Sequence, residues 1–158
     1  MNGLFIFHRD FRVEDNKTLI ELNSRCENLY TCFIFTPEQV SSKNDFKSEN
    51  SIQFMIESLK ELENNITKTK GTLLINYGDN KDVLTKLLTE LKINILACNV
   101  DYTPYAKKRL QMMSALCSKL KIELLTLNDY YLYEPGTIKV SSTGKAYTKY
   151  TPFYKKVK

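Results

Sequence analysis

Short apolar runs alternate along the chain with longer stretches in which apolar residues recur every three or four positions. Runs of the first kind predict strands, and stretches of the second kind predict amphipathic helices. The predicted strands are residues 4–7, 29–35, 72–77, 93–98 and 122–127. A helix is predicted after each of the first four strands, and the one beginning at Ser51 has the most regular apolar stripe.

This alternation predicts an α/β fold with a three-layer, open, parallel five-stranded sheet and helices on both faces, in a Rossmann-like arrangement. Strands that are apolar throughout need a cover on each face, and right-handed crossovers supply it. Asp15 is the predicted N-cap of the first helix. Residues 36–49 are predicted to form a polar loop long enough to be functional.

The last stretch, residues 130–158, loses the helical period and carries the turn signals Pro135-Gly136 and Ser142-Thr143-Gly144. We therefore predict a domain at residues 1–129 and an extended C-terminal arm at 130–158. Aromatic residues interleave with the lysines of the arm, a pattern that can bind single-stranded nucleic acid. The favoured interpretation is a linker whose aromatic residues pack on a neighbouring domain.

The net charge of +5 is concentrated in this arm. No acidic residue follows Glu134, whereas six lysines do: Lys139, Lys145, Lys149, Lys155, Lys156 and Lys158. Without them the chain has 17 basic and 18 acidic residues, a net charge of −1. This distribution argues against a domain that binds nucleic acid over its whole surface.

The composition is that of a soluble intracellular protein, without a signal peptide or an apolar run long enough to span a membrane. The cysteines lack the spacing of a zinc site, and the single histidine, His8, is distant from them in sequence. Reduced and mostly buried thiols are predicted for all four of them: Cys26, Cys32, Cys98 and Cys117. No metal site is predicted.

Candidate ligand-binding residues follow the strands, because ligands of open parallel sheets bind beyond the carboxyl ends of the strands. No GxGxxG and no GxxxxGK[ST] sequence occurs there. His8 and Asp10 could form an acid/base pair, but neighbouring residues of an extended chain point in opposite directions, so His8 and Arg9 are not expected to share a substrate. No catalytic residue is predicted.

Five sequence blocks resemble the amino-terminal α/β domain of the DNA photolyase/cryptochrome family. Residues 7–16, Phe-His-Arg-Asp-Phe-Arg-Val-Glu-Asp-Asn, resemble the opening signature of that family. The remaining blocks are Phe-Met-Ile-Glu-Ser-Leu at 54–59, Asn-Val-Asp-Tyr-Thr-Pro-Tyr-Ala at 99–106, Glu-Pro-Gly at 134–136 and Thr-Pro-Phe-Tyr-Lys at 151–155. They occur in the family's order over nearly the whole chain.

The resemblance implies a domain that carries a light-harvesting antenna chromophore, a folate or a deazaflavin. The matching candidates for antenna binding are Phe35, Thr36, Asn99, Asp101 and Tyr102. In the family, a larger helical domain binds FAD and repairs pyrimidine dimers in blue light. This chain ends where that domain would begin, so it is expected to be truncated or split and inactive alone, and to contact DNA only through a separately encoded FAD-binding domain.

Two departures from the family pattern bear on the antenna. His8 and Ser51 stand where the family usually has arginines, and the second position can face the antenna. Two alternatives therefore stay open beside the split photolyase: a stand-alone module that binds a chromophore or nucleotide, and an inactive relic of a disrupted gene.

Overall fold

The computed structural model describes residues 1–42 and 44–158, which form strands and helices in the predicted alternating order. The strands are β1 (Asn2–Ile6), β2 (Asn28–Phe35), β3 (Leu73–Tyr77), β4 (Ile95–Asn99) and β5 (Glu123–Leu127). The helices are α1 (Lys17–Arg25), α2 (Pro37–Val40), α3 (Glu49–Lys68), α4 (Asn80–Glu90), α5 (Pro104–Leu120) and α6 (Tyr150–Val157). Each predicted strand lies within two residues of the observed one.

All strand pairs of the sheet are parallel, and the strand order is β3-β2-β1-β4-β5. Strand β1 is central: Phe5 lies opposite Thr31 of β2 on one side and opposite Ala97 of β4 on the other. The chain winds from β1 toward β3 and then crosses to β4 on the opposite side. The ends of β1 and β4 therefore form a topological switch point, where open sheets leave a crevice.

The helices cover both faces of the sheet, as predicted. On one face, α1 and α3 pack through Leu22 and Leu62 against Phe5. On the other, α4 and α5 pack through Leu88 and Met113, among others. None of the described helices is both long enough and apolar enough to cross a membrane.

The first helix begins one residue later than predicted. Its N-cap is Asn16, whose side chain accepts a hydrogen bond from the backbone N–H of Leu19 at 3.3 Å. Asp15 is exposed and has a positive φ of 49°, while its carbonyl accepts hydrogen bonds from the Arg12 guanidinium. An Asp and an Asn in succession both satisfy the N-cap preference, so sequence could not separate them.

Two predicted irregular segments contain helix. The loop predicted at 36–49 includes the short helix α2, because Pro37 occupies its first turn and the Gln39 side chain accepts from the Thr36 N–H at 3.1 Å. The arm has a turn-rich first part with an isolated antiparallel bridge between Lys139 and Ala146. It then ends in α6, so the prediction of an extended arm is wrong for Tyr150–Val157.

All four cysteines are reduced, as predicted, and three of them are buried. Cys32 lies in β2 and Cys98 in β4, and burial raises the pKa of both thiols to about 12, from an ordinary value of 9.0. A raised thiol pKa keeps the sulfur protonated and unreactive. These thiols act as core side chains.

We predict that Asn16→Ala lowers the free energy of unfolding by about 1–2 kcal/mol, because it removes the N-cap of α1. Asp15→Asn is the matched control, and it should change stability by less than about 0.5 kcal/mol because Asn tolerates a positive φ. Urea denaturation of both variants checks the prediction. Equal losses of unfolding free energy, or a larger loss for Asp15→Asn, would show that Asp15 is the N-cap of α1.

We also predict an alkaline loss of stability from the buried thiols. In the unfolded chain they ionise near 9.0, whereas in the fold they stay protonated up to about 12. Stability is therefore complete below pH 9.0 and falls as the pH rises toward 12, by up to about 1.4 kcal/mol per pH unit for each thiol.

The double variant Cys32→Ala/Cys98→Ala should show a flatter profile between these pH values than the wild type in urea denaturation. Cys26→Ala is the control, since Cys26 is only partly buried. If the stability of the double variant fell with pH as steeply as that of the wild type, the two buried thiols would not be the cause of the alkaline loss.

Candidate functional site

A cavity of about 170 Å³ lies at the carboxyl edge of the sheet, at the switch point between β1 and β4. We call it the inner cavity. Its floor is apolar and includes Ile6, Phe33 and Ile34. Loops after β1, β2 and β4 and the first turns of α4 and α5 supply most of its polar lining: His8, Arg9, Thr36, Gln39, Asn80, Asp101 and Thr103. Tyr105 and Arg109 of α5 complete the wall.

The start of α5 fixes the position of this wall. Thr103 caps the helix by accepting from the Ala106 N–H at 3.2 Å, and Pro104 occupies the first turn. Tyr105 and Arg109 are four residues apart on the helix and therefore share a face. The Arg109 guanidinium lies over the Tyr105 ring, 5.6 Å from its centroid.

The two arginines of the inner cavity differ in their partners. Arg9 forms an ion pair with Asp101 at 3.6 Å, in which the Arg9 side chain is 64% exposed and that of Asp101 only 5%. Asp101 also accepts from the backbone N–H of Thr103 at 3.2 Å. Arg109 is partly buried, and it pairs with no carboxylate in the described part of the chain.

His8 lines the inner cavity as an uncharged side chain. Burial and, to a smaller extent, the Arg109 charge lower the pKa of His8 well below its ordinary value. Its Nδ1 atom is covered and has no hydrogen-bond partner among the described residues. With His8 neutral, Arg9, Asp101 and Arg109 leave the inner cavity with one net positive charge.

His8 and Arg9 both border the inner cavity, and the expectation that they do not share a substrate stays a prediction. The chain bends at these two residues, immediately after β1, so the alternation of an extended strand does not apply. The bend is held by the Asp10 carboxylate, which accepts from the His8 backbone N–H at 3.0 Å.

A buried polar network lies beside the inner cavity and is centred on Asn99. The Asn99 amide Nδ2 donates to Asp10 at 2.5 Å and to Asn16 at 3.0 Å, and it lies 3.4 Å from Asp129. Asp129 also pairs with Arg12 at 2.5 Å. The network therefore ties the loops after β1 and β5 to the end of β4.

Tyr130 extends this network into the arm. Its hydroxyl donates to Asp10 at 3.2 Å. Burial, followed by the charge of Asp10, raises the pKa of Tyr130 far above its ordinary value, so the hydroxyl stays protonated and remains a donor. The root of the arm is thereby fixed to the loop after β1.

The five residues predicted for antenna binding are placed in four different environments. Thr36 and Asp101 line the inner cavity. Asn99 belongs to the buried network, and the partly buried Phe35 ring packs against Phe33 of the core, with 4.9 Å between the ring centroids. Tyr102 faces outward and donates to the Asn128 side chain at 2.6 Å. Their role in binding stays a prediction.

Sequence reasoning placed Asn80 at the end of a strand, where ligands bind, but did not single out Arg109 or Tyr105 as lining residues. The Asn80 side chain donates to the Tyr105 hydroxyl at 3.4 Å beside the inner cavity. Arg109 follows Tyr105 by four positions, which predicts a shared helix face but not that this face meets the cavity. His8 and Arg9 were considered and set aside on the alternation argument.

A second, shallower depression of about 400 Å³ adjoins the inner cavity and shares Gln39 and Tyr105 with it. We call it the outer groove. Apolar side chains of the loop before α3 and of α3 itself line it, among them Phe46, Ile52 and Met55. Ser51, which stands where the family usually has arginine, also lies in the outer groove.

Comparison with known proteins gives consistent matches. A family model described as DNA photolyase matches residues 4–158. A (6-4) DNA photolyase of Arabidopsis thaliana is 28% identical over 97% of this chain and 29% of its own length. Cryptochrome-1 of Anopheles gambiae is 29% identical over 85% of this chain and 26% of its own.

Among solved structures, the archaeal photolyase of Sulfolobus tokodaii is similar to this chain with a TM-score of 0.86 and 32% sequence identity. The match covers 98% of this chain and 34% of that protein. It is described as containing two FAD molecules, with the implication of a novel light-harvesting cofactor. The present chain thus spans about a quarter to a third of the length of these three proteins.

We predict that Asn99→Ala lowers the free energy of unfolding by about 3 kcal/mol, because the buried carboxylates of Asp10 and Asp129 lose a shared donor. Asn128→Ala is the control. It also removes an Asn side-chain hydrogen bond, but one made to an exposed partner, Tyr102, and it should cost less than about 1 kcal/mol. Chemical denaturation near neutral pH compares the two, and similar losses would show that the network contributes little.

Proposed function

Because the chain belongs to the DNA photolyase family, we propose that it serves as the family's antenna-type α/β domain. In this role it holds a light-absorbing chromophore at the inner cavity and the outer groove. It takes part in light-dependent DNA repair together with an FAD-binding domain, and it is not catalytic by itself.

One observation carries the chromophore part of the proposal. A cavity at the switch point of the sheet combines an apolar floor with convergent polar groups, and it opens beside an apolar groove. Small-molecule sites have this composition, and open α/β sheets have them in this place. The two FAD molecules described for the Sulfolobus tokodaii photolyase support a flavin as a further candidate beside a folate or a deazaflavin.

The residues present fit a planar heterocycle only if both depressions are used. The inner cavity, at about 170 Å³, is below the roughly 300–1,000 Å³ of sites for drug-sized ligands. The outer groove adds about 400 Å³. When bound, the chromophore would absorb near-ultraviolet or blue light and pass the excitation energy to FAD.

The side chains of the site would bind and orient the chromophore. The Asp101 carboxylate, held in place by Arg9 and by the Thr103 N–H, would accept hydrogen bonds from N–H or O–H groups of the part of the chromophore that enters the inner cavity. The Thr36 hydroxyl would add a second polar contact on the opposite wall. The Tyr105 ring lines both depressions and would pack against the heterocycle.

The partner in this proposal is an FAD-binding helical domain of the photolyase type, and DNA is contacted through it. Exposed apolar side chains on the arm support a surface that the partner domain would cover. Leu132 is 90% exposed and Tyr150 is 74% exposed. A depression of about 440 Å³ lies between residues 131–133 and α6. Monomeric proteins seldom expose apolar patches of this kind without a partner.

The chromophore proposal predicts that the purified chain binds at least one of three probes: 5,10-methenyltetrahydrofolate, a deazaflavin or FAD. Bound probe is measured by its absorbance after gel filtration and by fluorescence titration. Asp101→Ala should weaken binding by about tenfold or more, since an aligned charged hydrogen bond contributes about 1.5–3 kcal/mol.

Glu123→Gln is the matched control for this variant. It also removes an acidic side chain paired with an arginine, Arg25, but at the opposite end of the sheet. It should leave binding unchanged. If none of the three probes binds to the wild-type chain, the chromophore role is wrong and the inactive-relic alternative gains support.

A repair assay tests the proposal that the chain is inactive alone and acts together with an FAD-binding domain. The chain alone should leave thymine dimers intact under blue light, and adding a photolyase FAD domain should restore repair. Stoichiometric FAD in the isolated chain together with unaided repair would overturn the proposal. Absence of any association between the two proteins would overturn its partner component.

A further inference from the structure

The described residues place an unpaired guanidinium at the end of the inner cavity. Arg109 is partly buried, and its guanidinium lies over the face of the Tyr105 ring. The other cavity arginine, Arg9, already has Asp101 as its counter-ion. A partly desolvated cation without an acidic partner is costly, and an anion supplied by a ligand would remove that cost.

The surroundings of Arg109 favour an anion over a second cation. The amino end of α5 lines the same cavity at Thr103, has no acidic residue in its first turn, and carries the partial positive charge of a helix amino end. The amino end of α4, at Asn80, is already capped by the Asp79 carboxylate. His8 is neutral and so can offer one ring N–H without adding charge. Asp101 is the one acidic side chain of the described lining, and Arg9 neutralises it.

The inner cavity and the outer groove differ in volume and therefore suit different parts of a ligand. About 170 Å³ accommodates a phosphate or carboxylate group with its linker, but not a tricyclic ring system. The outer groove is larger, at about 400 Å³, and is lined by Phe46, Ile52 and Met55, side chains suited to an aromatic ring. Gln39 and Tyr105 line both, so one ligand can span them.

We propose that this site takes an anionic heterocycle whose phosphate or carboxylate enters the inner cavity and pairs with Arg109, while its ring lies in the outer groove. This inference rests on the proposed chromophore function and adds the ligand's charge and orientation. It assigns Arg109 as a residue that determines specificity for charge.

Two flavins that differ only in a phosphate test the proposal directly. FMN should bind the wild-type chain at least about tenfold more tightly than riboflavin, as expected for a charge-assisted contact. Binding is measured by flavin fluorescence titration at one fixed ionic strength. Arg109→Gln should abolish this preference by lowering the FMN affinity to about that of riboflavin in the same variant, and Arg109→Lys should retain part of it.

Lys108→Gln is the matched control, because it removes the same charge from the neighbouring, exposed position of α5. It should leave the preference for FMN intact. A folate and its uncharged glutamate diamide form a second pair that distinguishes a carboxylate source of the anion from a phosphate source. A preference for the charged member of either pair, lost in Arg109→Gln and kept in Lys108→Gln, supports the proposal.

A titration with inorganic phosphate distinguishes an error in this inference from an error in the proposed chromophore role. Titration of phosphate into the free chain, followed by the NMR signals of His8 and Arg109, should show saturable binding that is absent in Arg109→Gln. Equal affinities for the charged and uncharged members of both pairs would overturn the anion site but keep the chromophore site. If no flavin or folate binds and phosphate gives no saturable shift, both proposals are wrong.

Discussion

The geometry at the carboxyl edge of the sheet depends on the hydrogen bonds of the Asn99 side-chain amide. Each amide hydrogen of Asn99 is needed, because two carboxylates and one further amide oxygen lie around a single nitrogen. Through these contacts the loops after β1 and β5 are held against the end of β4. The walls of the inner cavity are thus positioned by a buried network, whereas the sheet below supplies only the apolar floor.

The inner cavity and the outer groove differ in the kind of surface they offer to a ligand. Arginine side chains and helix amino ends surround the small inner cavity, and aromatic and aliphatic side chains line the wider outer groove. A ligand with a charged end and a flat ring matches both parts at once. The inner cavity alone lacks the volume for such a molecule, and the outer groove alone lacks the Arg109 guanidinium.

Much of the fold follows from hydrophobic periodicity, and the exceptions have local causes. The strands were predictable because runs such as residues 29–35 are apolar without a helical period. The N-cap was assigned one residue early, since Asp15 and Asn16 have nearly equal preferences for it. The helix α6 was missed because Pro152 reads as a turn signal, although proline is tolerated in a first helical turn.

The site was less predictable than the fold, for a different reason. Thr36 and Asp101 follow predicted strands directly, and they do reach the inner cavity. Arg109 reaches it from the second turn of a helix, which depends on how α5 packs on the sheet, and no local pattern encodes that packing. His8 and Arg9 share the cavity because of a bend held by Asp10, a residue whose own position depends on β4.

Anchoring of Tyr130 to Asp10 gives the arm a fixed point of departure at the cavity edge. The arm therefore leaves the sheet at a place set by the same carboxylate that holds the bend after β1 beside the inner cavity. Asp10 thereby couples the direction of the arm to the shape of the inner cavity, and a change at this one side chain would disturb both.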